Sequence, residues 1–447
     1  MHSMKSTLKW RPCIAVLLLL SISGLTIATD FQMPETVAAA SNSGGKSKKS
    51  LVSKGTYKLL TKVQEAIDQS QYDEAFERLN KLILRVKDNA YESAVVFKTA
   101  GYIYVSRQET SKALPLLDSA LKLNSLAREN QQKLRYDLAQ LLMSQQNVKQ
   151  LNLDQQAIID AELNRAITYL TTWLDHATEE ELSAAVYARI GSAFLKLKKH
   201  SEAALYLNKA ITRSKLKREK PSKYHHQLLL ASYIEIKDFE AAIGVLKHLI
   251  VYFGQDKHFR MQLVGLYDET QQTKQALAVL EVAFKQGFLD DTTEYTALAQ
   301  RLMLAGYPHK ATQVLQQGLD SFIVWVTPEN LTLLARAYIQ AQEPQHAIPI
   351  LRKAISTASN ALPGQLLSQL FIEQEAWSSA IATLLLTLDK AKEKDAIGLQ
   401  LSLGYAYYEH GQIKKAKALF NQLIANTELD KKTIRTAQDW QRYLQTI

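Results

Sequence analysis

The chain has 447 residues, of which only 16 are glycine and 9 proline, about half the usual share. So few turn-formers argue against a sandwich, a barrel or an open α/β sheet and for a mostly helical protein. A hydrophobic content of 47% with 22% charged residues argues against extensive disorder. The lone cysteine, Cys13, excludes disulfide frameworks, cysteine zinc sites and iron–sulfur clusters.

The net charge of +10 is concentrated at the start. Residues 1–58 hold eight Lys/Arg against Asp30 and Glu35, whereas the other 389 residues carry 46 against 42. A surface built for phosphate backbones shows stripes of Lys/Arg on its folded part. None is read here, so nucleic acid is not an expected partner.

Residues 1–28 have the layout of a secretory signal peptide: a basic start with Lys5, Lys9 and Arg11, an apolar run from Cys13, and small residues before Thr29. A second cleavage position lies near Ala40. An uncleaved inner-membrane anchor facing the periplasm is the alternative, but the apolar run of about 16 residues falls short of a span. Cys13 precedes the apolar core and so is not placed for lipid attachment. Residues 29–53, with SNSGGKSKKS, read as a flexible Ser/Gly/Lys-rich linker.

From residue 54 onward a repeat appears. Ala75, Ala113, Ala166, Ala203, Ala242, Ala276, Ala311, Ala347, Ala380 and Ala416 recur at 33 to 39 residues, with one gap of 53. Four residues after each stands a large apolar residue: Leu79, Leu117, Leu170, Leu207, Leu246, Leu280, Leu315, Leu351, Leu384 and Phe420. Twelve before comes a generally small one, such as Gly101, Gly191, Ala299, Ala335, Ser368 and Gly404, replaced by Val63 in the first unit and Leu230 in the fifth. An aromatic often follows three later, as in Tyr104, Phe194, Tyr233, Tyr267, Tyr338, Phe371 and Tyr407. Two antiparallel helices pack closely only where one side chain is small, and a bulky partner is expected to fill the gap to the next unit. Each pair is too small to bury its own face, so pairs must stack. The long gap places an insertion at residues 147–160, between the helices of the third unit. Pro308 and Pro344 are expected to start second helices, and Pro115 and Pro349 to lie within them.

These anchors, and LGYAYYEHGQIKKAKALF above all, resemble the tetratricopeptide repeat over residues 54–425. The resemblance implies an all-α, right-handed superhelical solenoid of about nine to ten stacked helix–turn–helix repeats. Residues 426–447 would cap it, with Ile434, Ala437, Trp440 and Leu444 on one face. Across 186–443, DFEAAIGVLKHLI, GLYDETQQTKQALAVLEVAFKQGFL, ALAQRLMLAGYPHKATQVLQQGL and LLARAYIQAQEPQHAIPILRKA are similar to an exported tetratricopeptide family. That family is associated with TonB-type energy-transduction systems of Gram-negative bacteria. It implies a periplasmic location and envelope-protein partners, and it identifies no biochemical activity.

Catalytic signatures are not seen. There is no G-x-x-x-x-G-K-[ST], no G-x-G-x-x-G after a strand and no G-x-S-x-G elbow. No two histidines stand three or four apart, and the adjacent His225 and His226 are badly placed to chelate together, so no metal or cofactor is expected. Glu179, Glu180 and Glu181 read as the start of a helix, favoured by its dipole. Trp173, Trp377 and Trp440 read as packing residues; Trp325, in FIVW between two units, reads as core, with an exposed contact as the alternative.

In the tetratricopeptide family the first helices line a concave face. That register selects Tyr57, Gln64, Lys98, Tyr102, Tyr136, Gln140, Tyr224, Gln227, Gln300, Arg336, Gln369, Tyr405 and Tyr408. Tyrosine and glutamine suit an extended peptide; packing of the superhelix is the alternative for any one tyrosine. The chaperone-binding subclass uses a Lys/Asn clamp for a terminal carboxylate. Here Lys98 is followed by Tyr102 and Asp137, so the clamp is missing. The expectation is a non-catalytic periplasmic scaffold that binds an envelope-protein segment, as an accessory component of a TonB-type system. The alternatives are a general envelope-assembly adaptor for cell-wall or outer-membrane factors, a repeat-fused enzyme, or a carbohydrate binder.

Overall fold

The computed structural model describes residues 52–144, 153–220, 222–426 and 428–446. The signal peptide, almost all of the linker and the first part of the insertion lie outside these residues. The described chain is all-α and divides into two compact units, meeting in sequence at Gly254 and Gln255.

The first unit holds α1 (Lys54–Asp68), α2 (Tyr72–Val86), α3 (Ala90–Ser106), α4 (Thr110–Lys122), α5 (Arg128–Ser144), α6 (Leu153–Leu174), α7 (Ala184–Lys196), α8 (His200–Leu216), α9 (Lys223–Glu235) and α10 (Phe239–Tyr252). The second holds α11 (Lys257–Glu269), α12 (Thr273–Lys285), α13 (Thr292–Leu304), α14 (Pro308–Asp320), α15 (Pro328–Gln340), α16 (Pro344–Thr357), α17 (Leu362–Glu373), α18 (Trp377–Leu388), α19 (Glu393–Glu409), α20 (Ile413–Ala425) and α21 (Lys431–Gln445). Each odd-numbered helix from α1 to α19 packs against the next even-numbered one, giving stacked two-helix repeats.

The sterics of the helix crossing explain the repeat. All ten anchoring alanines are fully buried, and the large residue four later is at most 3% exposed in every repeat. A Cβ added to Gly101 would lie 2.4 Å from Leu117 Cδ2, one on Gly191 2.7 Å from Leu207 Cγ, and one on Gly404 2.5 Å from Phe420 Cζ. The bulky residue therefore fills the crossing within its own repeat, not the gap to the next as the sequence reading expected. The aromatic three residues on can reach the neighbour instead: Tyr104 stacks on Phe76 of the preceding repeat at 4.2 Å between centroids.

The turn inside a repeat also recurs. After α1, α3, α7, α9, α11, α15 and α17 a non-glycine residue (Ser70, Gln108, Lys198, Lys237, Gln271, Gln342, Glu375) adopts φ between 55° and 63°; after α13 and α19 the same place is taken by Gly306 at φ 83° and Gly411 at φ 76°. The next residue then donates its N–H to the carbonyl five back, as in Glu109 to Tyr104 and Glu343 to Tyr338, both 2.9 Å. This is the left-handed helix stop that satisfies the last carbonyls.

Several expectations need correction. The insertion does not lie wholly between the two helices, because residues 153–160 belong to α6 and bring it to 22 residues; DQQAIIDAELNRA holds good helix formers and neither glycine nor proline. The Glu179–181 run precedes α7 in a turn, where Glu179 pairs with Arg213 and Glu181 accepts the Thr178 N–H. Trp325 is 73% exposed, since Val324 takes the core position instead. Gly318 leaves the room for Val324, whose Cγ2 would lie 2.4 Å from an added Cβ. Elsewhere the structure agrees: Pro308 and Pro344 open α14 and α16, and α4 and α16 run on through Pro115 and Pro349. On α21, Ala437 and Leu444 are fully buried, and Trp440 stacks parallel on Phe420 at 5.8 Å.

Candidate functional site

The first helices of the repeats carry the residues singled out by register, and the structure sorts them into tied and free ones. In the first unit Tyr57 is half-buried against the core, and Gln64 bonds Asp68 of its own helix at 2.7 Å. Tyr102 donates its hydroxyl to Asp137 at 2.5 Å, linking α3 to α5. Tyr136 accepts from Arg189 Nη1 at 2.6 Å, its ring lies 5.3 Å from that guanidinium, and it packs on Trp173 at 5.5 Å. Gln140 is half-buried, while Tyr224 and Gln227 are exposed on α9.

This face is electrostatically unusual around α3 and α5. Burial raises the Asp137 carboxyl above its ordinary value, against the pull of Tyr102, Lys133 and Lys98. Burial, and then repulsion from Lys133, lowers the Lys98 ammonium, which donates to Asn130 Oδ1 at 3.2 Å. Burial and the facing carboxylate push the Tyr102 phenol up. Tyr102 and Asp137, which break the chaperone-type clamp, are thus each other's partners.

In the second unit Gln300, Arg336 and Gln369 are all exposed. Each stands one residue after the small residue of its helix, so α13, α15 and α17 present a side chain in the same register. Gln369 donates to Glu373 of its own helix at 3.0 Å. Tyr405 and Tyr408 on α19 are half-buried and belong to an aromatic cluster. Tyr405 lies 5.7 Å from Trp377 and 5.6 Å from Trp440, and Tyr408 lies 5.7 Å from Trp440 and 5.6 Å from Tyr443. The Tyr408 hydroxyl shares a 3.0 Å hydrogen bond with that of Tyr443, which with burial pushes the Tyr408 phenol up to about 12.

The structure also assembles groups that the sequence reading left apart. His226 is 1% exposed; Nδ1 bonds the Ser222 carbonyl at 3.1 Å, Nε2 has no hydrogen-bond partner among the described residues, and the His248 ring lies 6.4 Å away. His309 and His346, from successive repeats, approach the Glu343 carboxylate at 2.9 and 3.5 Å. These pairs are 22 and 37 residues apart, beyond any helical spacing rule. Asp290, Asp291 and Glu294 bring carboxylate oxygens within 4.8 Å of one another. They are used as a helix start: Asp291 accepts the Glu294 N–H at 2.9 Å, Glu294 accepts the Asp290 N–H at 3.0 Å, and Lys257 pairs with Asp290 and Glu294. A basic run was also missed. Lys209, Arg213, Lys215, Lys217, Arg218, Lys220 and Lys223 face only Glu219 between them in sequence, a signal lost when charge is summed over the whole folded part.

Stacked two-helix repeats that present register-matched side chains on their first helices define a helical-repeat protein of the kind that offers faces to other chains. Models of the tetratricopeptide repeat match residues 184–215, 328–360 and 399–426, supporting that family, whose members generally mediate protein–protein interaction. The chain is similar in structure to MamA, with 19% identity over 42% of this chain and 96% of that one and a TM-score of 0.34. It is also similar to YrrB, described as a tetratricopeptide protein with an unusual peptide-binding site, with 13% identity over 43% and 97% and a TM-score of 0.36. A tetratricopeptide repeat protein of Parabacteroides merdae shares 14% identity over 63% and 99%, with a TM-score of 0.31. No curated protein matches the sequence. Among the described residues no helix is long and apolar enough to cross a membrane.

Proposed function

We propose that the protein is a non-catalytic, periplasmic interaction scaffold that binds an extended segment of an envelope protein, as an accessory component of a TonB-type transport system. The location rests on the basic and apolar layout of residues 1–28, and the system on the resemblance of residues 186–443. The observation that carries the binding mode is the row of exposed Gln300, Arg336 and Gln369, one per repeat in a single register. A repeat spacing of this kind matches an extended chain, whose backbone groups need donors and acceptors at regular intervals. Glutamine supplies both from one side chain and arginine supplies donors.

A photo-crosslinking residue placed at Gln300 or Gln369 in cells tests this reading. It should trap an envelope protein of the TonB-type machinery, whereas the same residue at the exposed Leu385 on α18 should not. The triple change Gln300→Ala, Arg336→Ala and Gln369→Ala should weaken the captured complex by a few kcal/mol and leave helical content unchanged. Equal trapping at Leu385, or capture that survives the triple change, would refute it.

A further inference from the structure

The basic run noted above becomes a surface in the folded first unit. Lys215, Lys217, Arg218 and Lys220, at the end of α8 and in the connection to α9, are all exposed. Lys215, Lys217 and Arg218 enter no ion pair among the described residues. Arg213, by contrast, is held by Glu179 and by the Leu182 carbonyl at 2.9 Å. The C-terminal end of α10 lies against this connection and the first turn of α9: Lys220 Nζ stands 4.9 Å from the centre of the Phe253 ring, and the His226 ring of α9 6.5 Å from that of Tyr252.

Leu216 stands between Lys215 and Lys217 in the chain, and Val251 and Tyr252 lie in the last turn of α10. Leu216 is 71% exposed, Val251 77% and Tyr252 39%. A single exposed leucine means little. Two aliphatic tips and a tyrosine set in a basic run that holds Glu219 as its one acid are different, because no one polar partner satisfies both. A nucleic-acid strand would pair with the cations, yet it recognises aromatic platforms and leaves aliphatic tips in water. An acidic protein would meet charge at the centre of its contact, where protein interfaces are depleted of charge. The interface of an anionic bilayer supplies both chemistries, with phosphates at the depth of the lysine heads and acyl chains just below them.

The geometry points to this face, from Lys215 to Lys220 with Leu216 and Val251, as a docking surface for an anionic lipid bilayer. It is a peripheral contact, distinct from the first-helix faces assigned to protein binding. The basic residues pair with headgroups, Leu216 and Val251 enter the acyl boundary, and Tyr252 sits at headgroup depth, where an aromatic body with a polar tip is favoured.

The test is a lipid titration of the full chain by vesicle co-sedimentation, using equal parts phosphatidylglycerol and phosphatidylcholine, and phosphatidylcholine alone. Charge near such a surface is worth about fivefold in affinity per Lys or Arg. The variant Lys215→Glu, Lys217→Glu, Arg218→Glu and Lys220→Glu should therefore lose at least about a hundredfold on the anionic vesicles. Independent contributions multiply, so this ratio reads the patch whatever the apolar segment at 13–28 adds. Leu216→Ser with Val251→Ser keeps every charge and should lose about tenfold. Wild-type lipid affinity in the charge-reversal variant, or equal binding to the two vesicle types, would overturn the proposal. So would single-stranded RNA binding that the charge reversal abolishes, together with lipid binding indifferent to Leu216 and Val251.

Discussion

Adding one methyl group to a helix should move stability in opposite directions at two glycines of the first unit. At Gly191 in α7 the new Cβ would lie 2.7 Å from Leu207 Cγ and 3.2 Å from the Ala203 carbonyl oxygen. Favourable carbon contacts begin near 3.5 Å. Leu207 is fully buried, and the Ala203 oxygen is backbone, so neither can swing aside. Overpacking of this kind costs about 1–3 kcal/mol, against a gain of about 1 kcal/mol from replacing a helical glycine by alanine. Gly191→Ala should therefore destabilise by up to about 2 kcal/mol. At Gly244 in α10 nothing lies within 4 Å of the added carbon. Gly244→Ala should keep only the backbone gain, about 0.5–1 kcal/mol. Stacked repeats contact only their neighbours, so the effect is local and a single global unfolding energy is not its measure. Amide hydrogen exchange read helix by helix is the appropriate assay. Gly191→Ala should speed exchange in α7 and α8 and leave α1 and α2 as they were, and Gly191→Leu should do so more strongly. If Gly191→Ala proves as protective as Gly244→Ala, the crossing is not steric in origin. If all repeats loosen together, the stack is not a chain of nearest-neighbour contacts.

Two further outcomes follow from paired groups. Arg301 of α13 forks onto Asp268 of α11 at 2.8 and 2.5 Å. Both side chains are partly exposed, so Arg301→Ala should cost about 1 kcal/mol in exchange protection of α11 and α13. The loss should shrink in high salt, and Arg301→Lys should restore little because it cannot fork. The second outcome is pH-dependent. His226 is held below its ordinary value by burial, against the Ser222 carbonyl and reinforced by the positive charges of His248 and Lys215; His225 and His248 are lowered by burial too. The unfolded chain then binds protons first, so stability of the α9–α10 repeat is full above about 6.5 and falls as pH drops through the lowered native values. Thermal melts should therefore show a first loss on mild acidification, and His226→Leu should flatten it. A melt independent of pH between neutral and about 5.5 would show that the imidazoles titrate normally.

The repeat was legible because its signal is steric and periodic. A small residue at the crossing, an alanine twelve later and a bulky residue four beyond that are required by the backbone approach itself, so each such position named in sequence is buried in the structure. What escaped depends on residues distant in the chain. Whether Trp325 or Val324 enters the core is decided by the space at Gly318. The spacing around 147–160 reveals extra residues, but not that eight of them lengthen α6. On the candidate faces, register identifies which residues lie on the first helices. Whether Tyr102 or Tyr136 remains available is decided by Asp137 and Arg189 in the following repeats. The long α8–α9 basic run needed a short charge window, and its aliphatic neighbours on α10 needed the fold.

The turn between the two helices of a repeat carries a consequence for how such a chain can evolve. An L-residue held in the left-handed region costs about 1 kcal/mol, and seven turns accept it where Gly306 and Gly411 do not. These positions form a distributed reserve, one small increment per repeat, lying away from the crossings and off the first-helix faces. Exchanging them for glycine one at a time offers a graded series of proteins with less backbone strain and unchanged recognition surfaces. Drift in the opposite direction lets selection soften one repeat and spare the others, so that compliance along the chain can be adjusted separately from what the chain binds.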